Sequence, residues 1–249
     1  IGSGSEIITA VKTRRETIIL TDTSVHSMQF IGPPFTFGIN QLASGVTVKG
    51  FNSAVAVGDS VFWMGYDRFY VYDGRVQVIP CSVRDHVFQN FNETQSDKVF
   101  AGVNSAFGEV FWFYPSDANS SANGGTDEND KYVIYNYDQK IWYVGSLART
   151  SWVDRGVYQY PLATDSSLVY NHEKGNDNDG TAFTSFIESS PIDVQDGNQF
   201  VLLQRMIPDI SFDNSDTGIS TDNNQTVFSL KAQRSPSGGF IKTSTNNVT

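Results

Sequence analysis

The sequence predicts an all-β protein, a β-propeller of antiparallel meander blades, and three observations carry that prediction. Aromatic residues make up 13% of the chain, including 18 Phe and 11 Tyr, and flat rings pack well on pleated strands. Helical periodicity is nearly absent: one stretch, "SVRDHVFQNF" at 82–91, places Val83, Val87, Phe88 and Phe91 on one face, with Ser82 positioned to cap it. An aromatic segment also recurs. "GDSVFWMG" (58–65) is echoed by "GEVFWFYP" (108–115), matching Trp63 to Trp112. "RFYVYDGRVQVI" (68–79) is echoed by "KYVIYNYDQKIWYV" (131–144), matching Tyr72 to Tyr135.

Each copy reads as strand, turn, a strand ending in Tyr-Asp or Tyr-Asn, turn and further strand, which is an antiparallel meander. The matched pairs are 49 and 63 residues apart, and the difference falls in "SDANSSANGGTDEND", 116–130, a polar loop inserted into one copy. A weaker echo, "SLVYNHEKG" (167–175), puts Tyr170 and Asn171 in the same places. Meanders repeating at this spacing point to propeller blades of about four strands. In chain order the candidate blades are 17–49, 54–79, 98–144, 149–190 and 200–245, five in all, which need not close a full ring. The first opens with "TIILTDTSVHSMQF", turning at Asp22, Thr23 and Ser24; the last holds "FVLLQRMIPDISF" and "TVFSLKAQRS". Trp63, Tyr72, Trp112, Tyr135, Trp142, Trp152 and Tyr170 are the expected core, where rings seal one blade on the next. A β-sandwich with similar hairpins is the alternative architecture.

With 249 residues, the chain can bury a sizeable core without metals or disulfides. Residues 1–249 read as one β-domain. A start at Ile1 and a polar end, "STNNVT", lead us to expect part of a longer polypeptide. The formal charge is −10, from 27 acidic and 17 basic residues, which disfavours generic nucleic-acid binding because that affinity comes from Lys and Arg on phosphates. Cys81 is the single cysteine, so no internal disulfide forms; it reads as a small packed residue. No apolar run approaches the roughly 20 residues that span a membrane, and no signal peptide is visible.

Candidate chemistry is sparse. In "HEKGNDNDG" (172–180), Asp177, Asp179 and Gly180 fit the latter places of a calcium loop, but Gly175 has no ligand oxygen in the first place and no closing Glu follows. It reads as a polar turn, with Asp177 and Asp179 as weak metal candidates. His26, His86 and His172 lack zinc spacing. Cys81 and His86 read as packing and capping residues, not a dyad. No nucleophile elbow or phosphate loop is present, and no cofactor is expected. Asp22, Asp59, Asp85, Glu109 and Glu188 lie near predicted strand ends, where a propeller glycosidase would place its carboxylates. Arg84, Arg149, Arg155 and Arg205 suit structural ties to nearby carboxylates or a subunit interface.

The run "VFWMGYDRFYVYDGRVQVIPCSVRDHVFQNFN", then "KVFAGVNSAFGEVFWFYPS" and "KYVIYNYDQKIWYVGSLARTSWVDRG", resembles the tail tubular, or nozzle, structural proteins of short-tailed bacteriophages. "LVYNHEKGNDNDG", "FIESSPIDVQDGNQF" and "RMIPDISF" continue the resemblance in the same order, so that it covers roughly 55–212. The resemblance implies a non-enzymatic virion component with a propeller body. It implies a ring, usually of six copies, around the DNA exit channel, with other tail or connector proteins as neighbours. Genomic DNA would pass without specific binding, because an acidic wall repels phosphates. Members of this kind carry further domains for which this chain is too short. A carbohydrate-binding or carbohydrate-cleaving propeller is the rival reading, and it requires Trp and Tyr rings displayed at the surface.

Overall fold

The segments between Gly, Asp and Asn turns form strands in the computed structural model, which describes residues 6–118, 124–165, 167–175, 180, 186–189, 192, 202–207, 209, 226–233 and 240–248. The protein is all-β. Its chain divides into two compact units, Ile1–Asn176 and Asp177–Thr249.

The first unit is a succession of antiparallel meanders in chain order. The first sheet holds β1 (Ile7–Lys12), β2 (Thr17–Thr21), β3 (Ser24–Phe30) and β4 (Phe37–Ser44). The second holds β5 (Ala54–Val57), β6 (Ser60–Met64), β7 (Phe69–Tyr72) and β8 (Val76–Ile79). The third is built from β9 (Phe100–Asn104), β10 (Glu109–Tyr114), β13 (Lys131–Asn136) and β14 (Ile141–Ser146), with a two-residue-strand hairpin, β11 (Asp117–Ala118) and β12 (Gly124–Gly125), between its second and third strands. The fourth contains β15 (Ser151–Val153), β16 (Leu162–Thr164) and β17 (Val169–Asn171). Among the described residues of the second unit, β18 (Thr226–Gln233) pairs with β19 (Phe240–Val248) as a hairpin.

The sheet boundaries differ from expectation in three places, one being the fourth sheet, whose strands among the described residues end at Asn171 where the expected blade ran to 190. The first sheet begins at Ile7, ten residues before the expected blade, because "IITAVK" pairs with β2. Residues 202–207, inside "FVLLQRMIPDISF", lie outside any strand. The tight turns follow from sequence: β5 and β6 pair up to Val57 and Ser60, so Gly58 and Asp59 form a two-residue loop. Gly58 has φ +62 there, as such hairpins require.

Successive sheets pack face to face. Ile18, Leu20 and Val25 of the first sheet bury against Val61, Trp63, Tyr70 and Tyr72 of the second. The opposite face of the second sheet, Phe62, Met64, Phe69 and Ile79, packs on Val110, Trp112, Tyr114, Val133 and Tyr135 of the third. The third sheet's other face presents Phe100, Phe111 and Phe113 to Trp152 of the fourth. Strands such as β6 and β10 are thus covered on both sides, which is why they read as continuous apolar runs and not as alternation. Fully burying one such side chain is worth roughly 1.5–3 kcal/mol.

One α-helix is present among the described residues, α1 (Arg84–Gln89), and it buries Val87 in the core between the second and third sheets. Ser82 does not cap it: the N-cap is Val83, and no side chain accepts from the first turn. The polar stretch 116–130 is anchored at its base. Asp130 accepts from Ser116 N and Oγ, both at 2.7 Å, and from Thr126 Oγ1 at 3.0 Å.

Candidate functional site

The four tryptophans share one geometry. Trp63 and Trp112 are fully buried in the second strands of their sheets. Trp63 donates its indole N–H to Thr47 O at 3.2 Å and Trp112 donates to Ser53 O at 3.0 Å. Half-buried Trp142 donates to Pro80 O and half-buried Trp152 to Val103 O, each at 2.8 Å. Each acceptor lies in the preceding sheet or in a segment flanking it (Thr47 after β4, Ser53 before β5, Pro80 after β8, Val103 in β9), so each indole ties its own sheet backwards. Tyr72 and Tyr135 are buried, and Tyr170 is half-buried. Tyr72 donates to Glu16 Oε1 at 2.6 Å; burial first, then this partner, pushes its pKa up to about 12.

A second tie crosses the segment between the first two sheets. The Lys49 ammonium is buried, 2.6 Å from Glu93 Oε2, and lies 4.1 Å from the centre of the Phe91 ring. Burial lowers its pKa, and the Glu93 carboxylate opposes that.

The third and fourth sheets part to leave a cleft of about 600 Å³. Its floor follows from the register of the third sheet. Asn104, Glu109, Asn136 and Ile141 form one cross-strand row; Gly102, Phe111, Ile134 and Tyr143 form the next; Phe100, Phe113, Tyr132 and Gly145 form the third. A Cβ on Gly102 would come within 2.7 Å of the Trp152 ring, so glycine lets the indole lie on β9. His172 and Glu173, following β17, close the polar end.

That end is rich in acceptors. Asn104 is fully buried; its Nδ2 donates to Glu173 Oε1 at 3.2 Å, while its Oδ1 has no hydrogen-bond partner. Neither Glu109 nor Glu173 makes an ion pair among the described residues. Burial, then the charge of Glu173, pushes the Glu109 pKa up. Arg149 is engaged elsewhere: Nε donates to His172 Nε2 at 2.9 Å, Nη1 donates to Ala148 O, and the guanidinium lies over the Tyr170 ring. Burial, with help from Arg149, pulls the His172 pKa down to about 4, so the imidazole is neutral at pH 7. Glu173 has φ +56, a conformation that costs a non-glycine residue on the order of 1–3 kcal/mol.

Of the carboxylates near strand ends, Glu109 lines this cleft. Asp59 faces Arg15, Asp85 faces Arg84, Glu188 pairs with Lys231, and Asp22 accepts from Glu6 N. Arg155's backbone N–H, not its guanidinium, bonds to Asp154. Glu173 and Asn104 were not singled out by sequence; the signal for Glu173 was its place two residues after Asn171 of the Tyr-Asn echo. Burial pushes the Cys81 thiol up to about 11, the reverse of what a nucleophile needs. Asp177 and Asp179 lie outside the described residues. Among the described residues no group of three or more His, Cys, Asp or Glu is placed to hold a metal ion, and no helix is long and apolar enough to cross a membrane.

Comparison with protein-family models and with curated proteins finds no match.

Proposed function

We propose that the chain is a non-enzymatic structural component of a bacteriophage tail. Its meanders are blades of a β-propeller body that assembles with copies of itself, six by family resemblance, into a ring around the DNA exit channel, in contact with other tail proteins. The observation that carries the reading is the stack: sheets packed in chain order, each tied to its predecessor by a tryptophan. Two of its four tryptophans, Trp63 and Trp112, are fully buried between sheets. The formal charge of −10 suits a conduit that must not trap phosphate. The hairpin of β3 and β4 exposes Phe30, Ile31, Phe35, Phe37 and Ile39 together, an apolar surface of the kind that subunits cover.

The carbohydrate reading loses its main feature, since Trp63 and Trp112 are fully buried and Trp142 packs on Phe69 and Tyr135. The cleft of Trp152, Tyr132 and Glu109 is what remains to it. Immunogold labelling of purified virus particles with antibody to this chain tests the proposal. Label on tails supports it; particles free of label, with the protein found elsewhere, overturn it.

A further inference from the structure

We propose that the cleft between the third and fourth sheets binds an organic cation, an alkylammonium or guanidinium group, held between the Trp152 ring and the carboxylates of Glu109 and Glu173. The site is one-sided in its chemistry. Its walls are aromatic, with Phe111, Tyr132 and Trp152 among them, and ring faces attract cations. Its polar end offers two carboxylates, one of which, Glu173, accepts from Nδ2 of Asn104, a fully buried residue whose Oδ1 has no partner. The register sets Asn104 directly opposite Glu109.

The nearest cation does not balance this charge. Arg149 is committed to His172, Ala148 and the Tyr170 ring. His172, receiving the Arg149 N–H on Nε2, carries no charge at neutral pH. The Glu109 carboxylate makes no hydrogen bond or ion pair among the described residues, although the residue is half-buried. A sugar hydroxyl both donates and accepts, whereas an ammonium or guanidinium only donates. Two carboxylates beside an apolar wall complement the second kind of ligand. The cation can be a free amine or a Lys or Arg side chain of a neighbouring polypeptide, and this inference stands independently of the tail assignment.

Calorimetric titration of the full chain at pH 7 and low salt tests it, using n-butylamine, N-acetyl-lysine methylamide, and 1-butanol as the neutral isostere. Saturable binding of an amine is expected, with none by butanol. The affinity should weaken about tenfold or more in Glu109→Gln, and also with added salt, as charge-assisted contacts do. Tighter binding of butylamine identifies a free amine as the ligand; tighter binding of the lysine derivative identifies a protein side chain. Glu173→Gln, on an exposed turn, gives a second variant should Glu109→Gln fail to fold. Butanol or maltose binding as well as the amines overturns the proposal. So does amine affinity unchanged in a folded variant, or the absence of amine binding.

Discussion

Trp63 and Trp112 occupy equivalent places in successive sheets: each is fully buried in a second strand, and each donates its indole N–H backwards, to Thr47 O and Ser53 O. A repeat in sequence is therefore a repeat in how sheets are joined. Trp112→Ala should destabilise the first unit by about 3–5 kcal/mol, the cost of a large cavity. Trp112→Phe should cost less, on the order of 1–2 kcal/mol, for a lost hydrogen bond and a smaller void. Urea unfolding followed by circular dichroism measures both; a Trp112→Phe variant as stable as the parent would contradict a role for the indole N–H.

Lys49 and Glu93 make unequal demands. The Lys49 side chain is 0% exposed and that of Glu93 59%. Glu93→Gln leaves a buried ammonium without its carboxylate and should cost more than the roughly 0–1 kcal/mol of a surface pair, toward the about 3–5 kcal/mol seen when one partner of a buried pair is removed. Lys49→Met removes the charge itself, and stability should stay near that of the parent. Denaturant midpoints compare the two; the reverse order would show that the pair is not organised by burial.

Gly102→Ala should displace Trp152, whose ring lies 2.7 Å from the position of the new Cβ. Overpacking of this kind costs about 1–3 kcal/mol, and the Trp emission should shift to the red as the indole meets water. An unchanged spectrum and midpoint would place Trp152 off the β9 face.

The stack was legible where rings and turns repeat. "VFWMG" and "VFWFY" identify β6 and β10, and the unequal spacing of their partners locates the insertion between β10 and β13. Less legible was anything decided by contact across the chain. Ile7–Lys12 carries no aromatic signature and is a strand because β2 pairs with it. Ser82 has the chemistry of a cap, but the helix starts after Val83. The cleft's polar end brings Glu109 of β10 together with Glu173 from the turn after β17, which accepts from Asn104 of β9, a meeting that no local pattern encodes.

His172 makes stability depend on pH. Its folded pKa, about 4, lies below the ordinary 6.5. As pH falls below 6.5 the unfolded chain takes up this proton first, so its contribution is full above pH 6.5 and is lost progressively toward pH 4. Glu109, with its pKa raised, acts in the opposite direction near the carboxylate range. Thermal melts of parent and His172→Gln should differ in slope across this window, the variant being flatter. Parallel curves would show that the imidazole is solvated.

The tail account makes its most direct claim about assembly. The measurement is the solution mass of the protein by light scattering at near-physiological salt, with electron microscopy of the same sample, on the parent and on Phe35→Asp, whose ring is 71% exposed on the β3–β4 hairpin. The account predicts a closed ring of several copies with a central hole for the parent, and folded, dissociated subunits for the variant. A parent that stays monomeric up to its solubility limit, or that forms no ring, would contradict it.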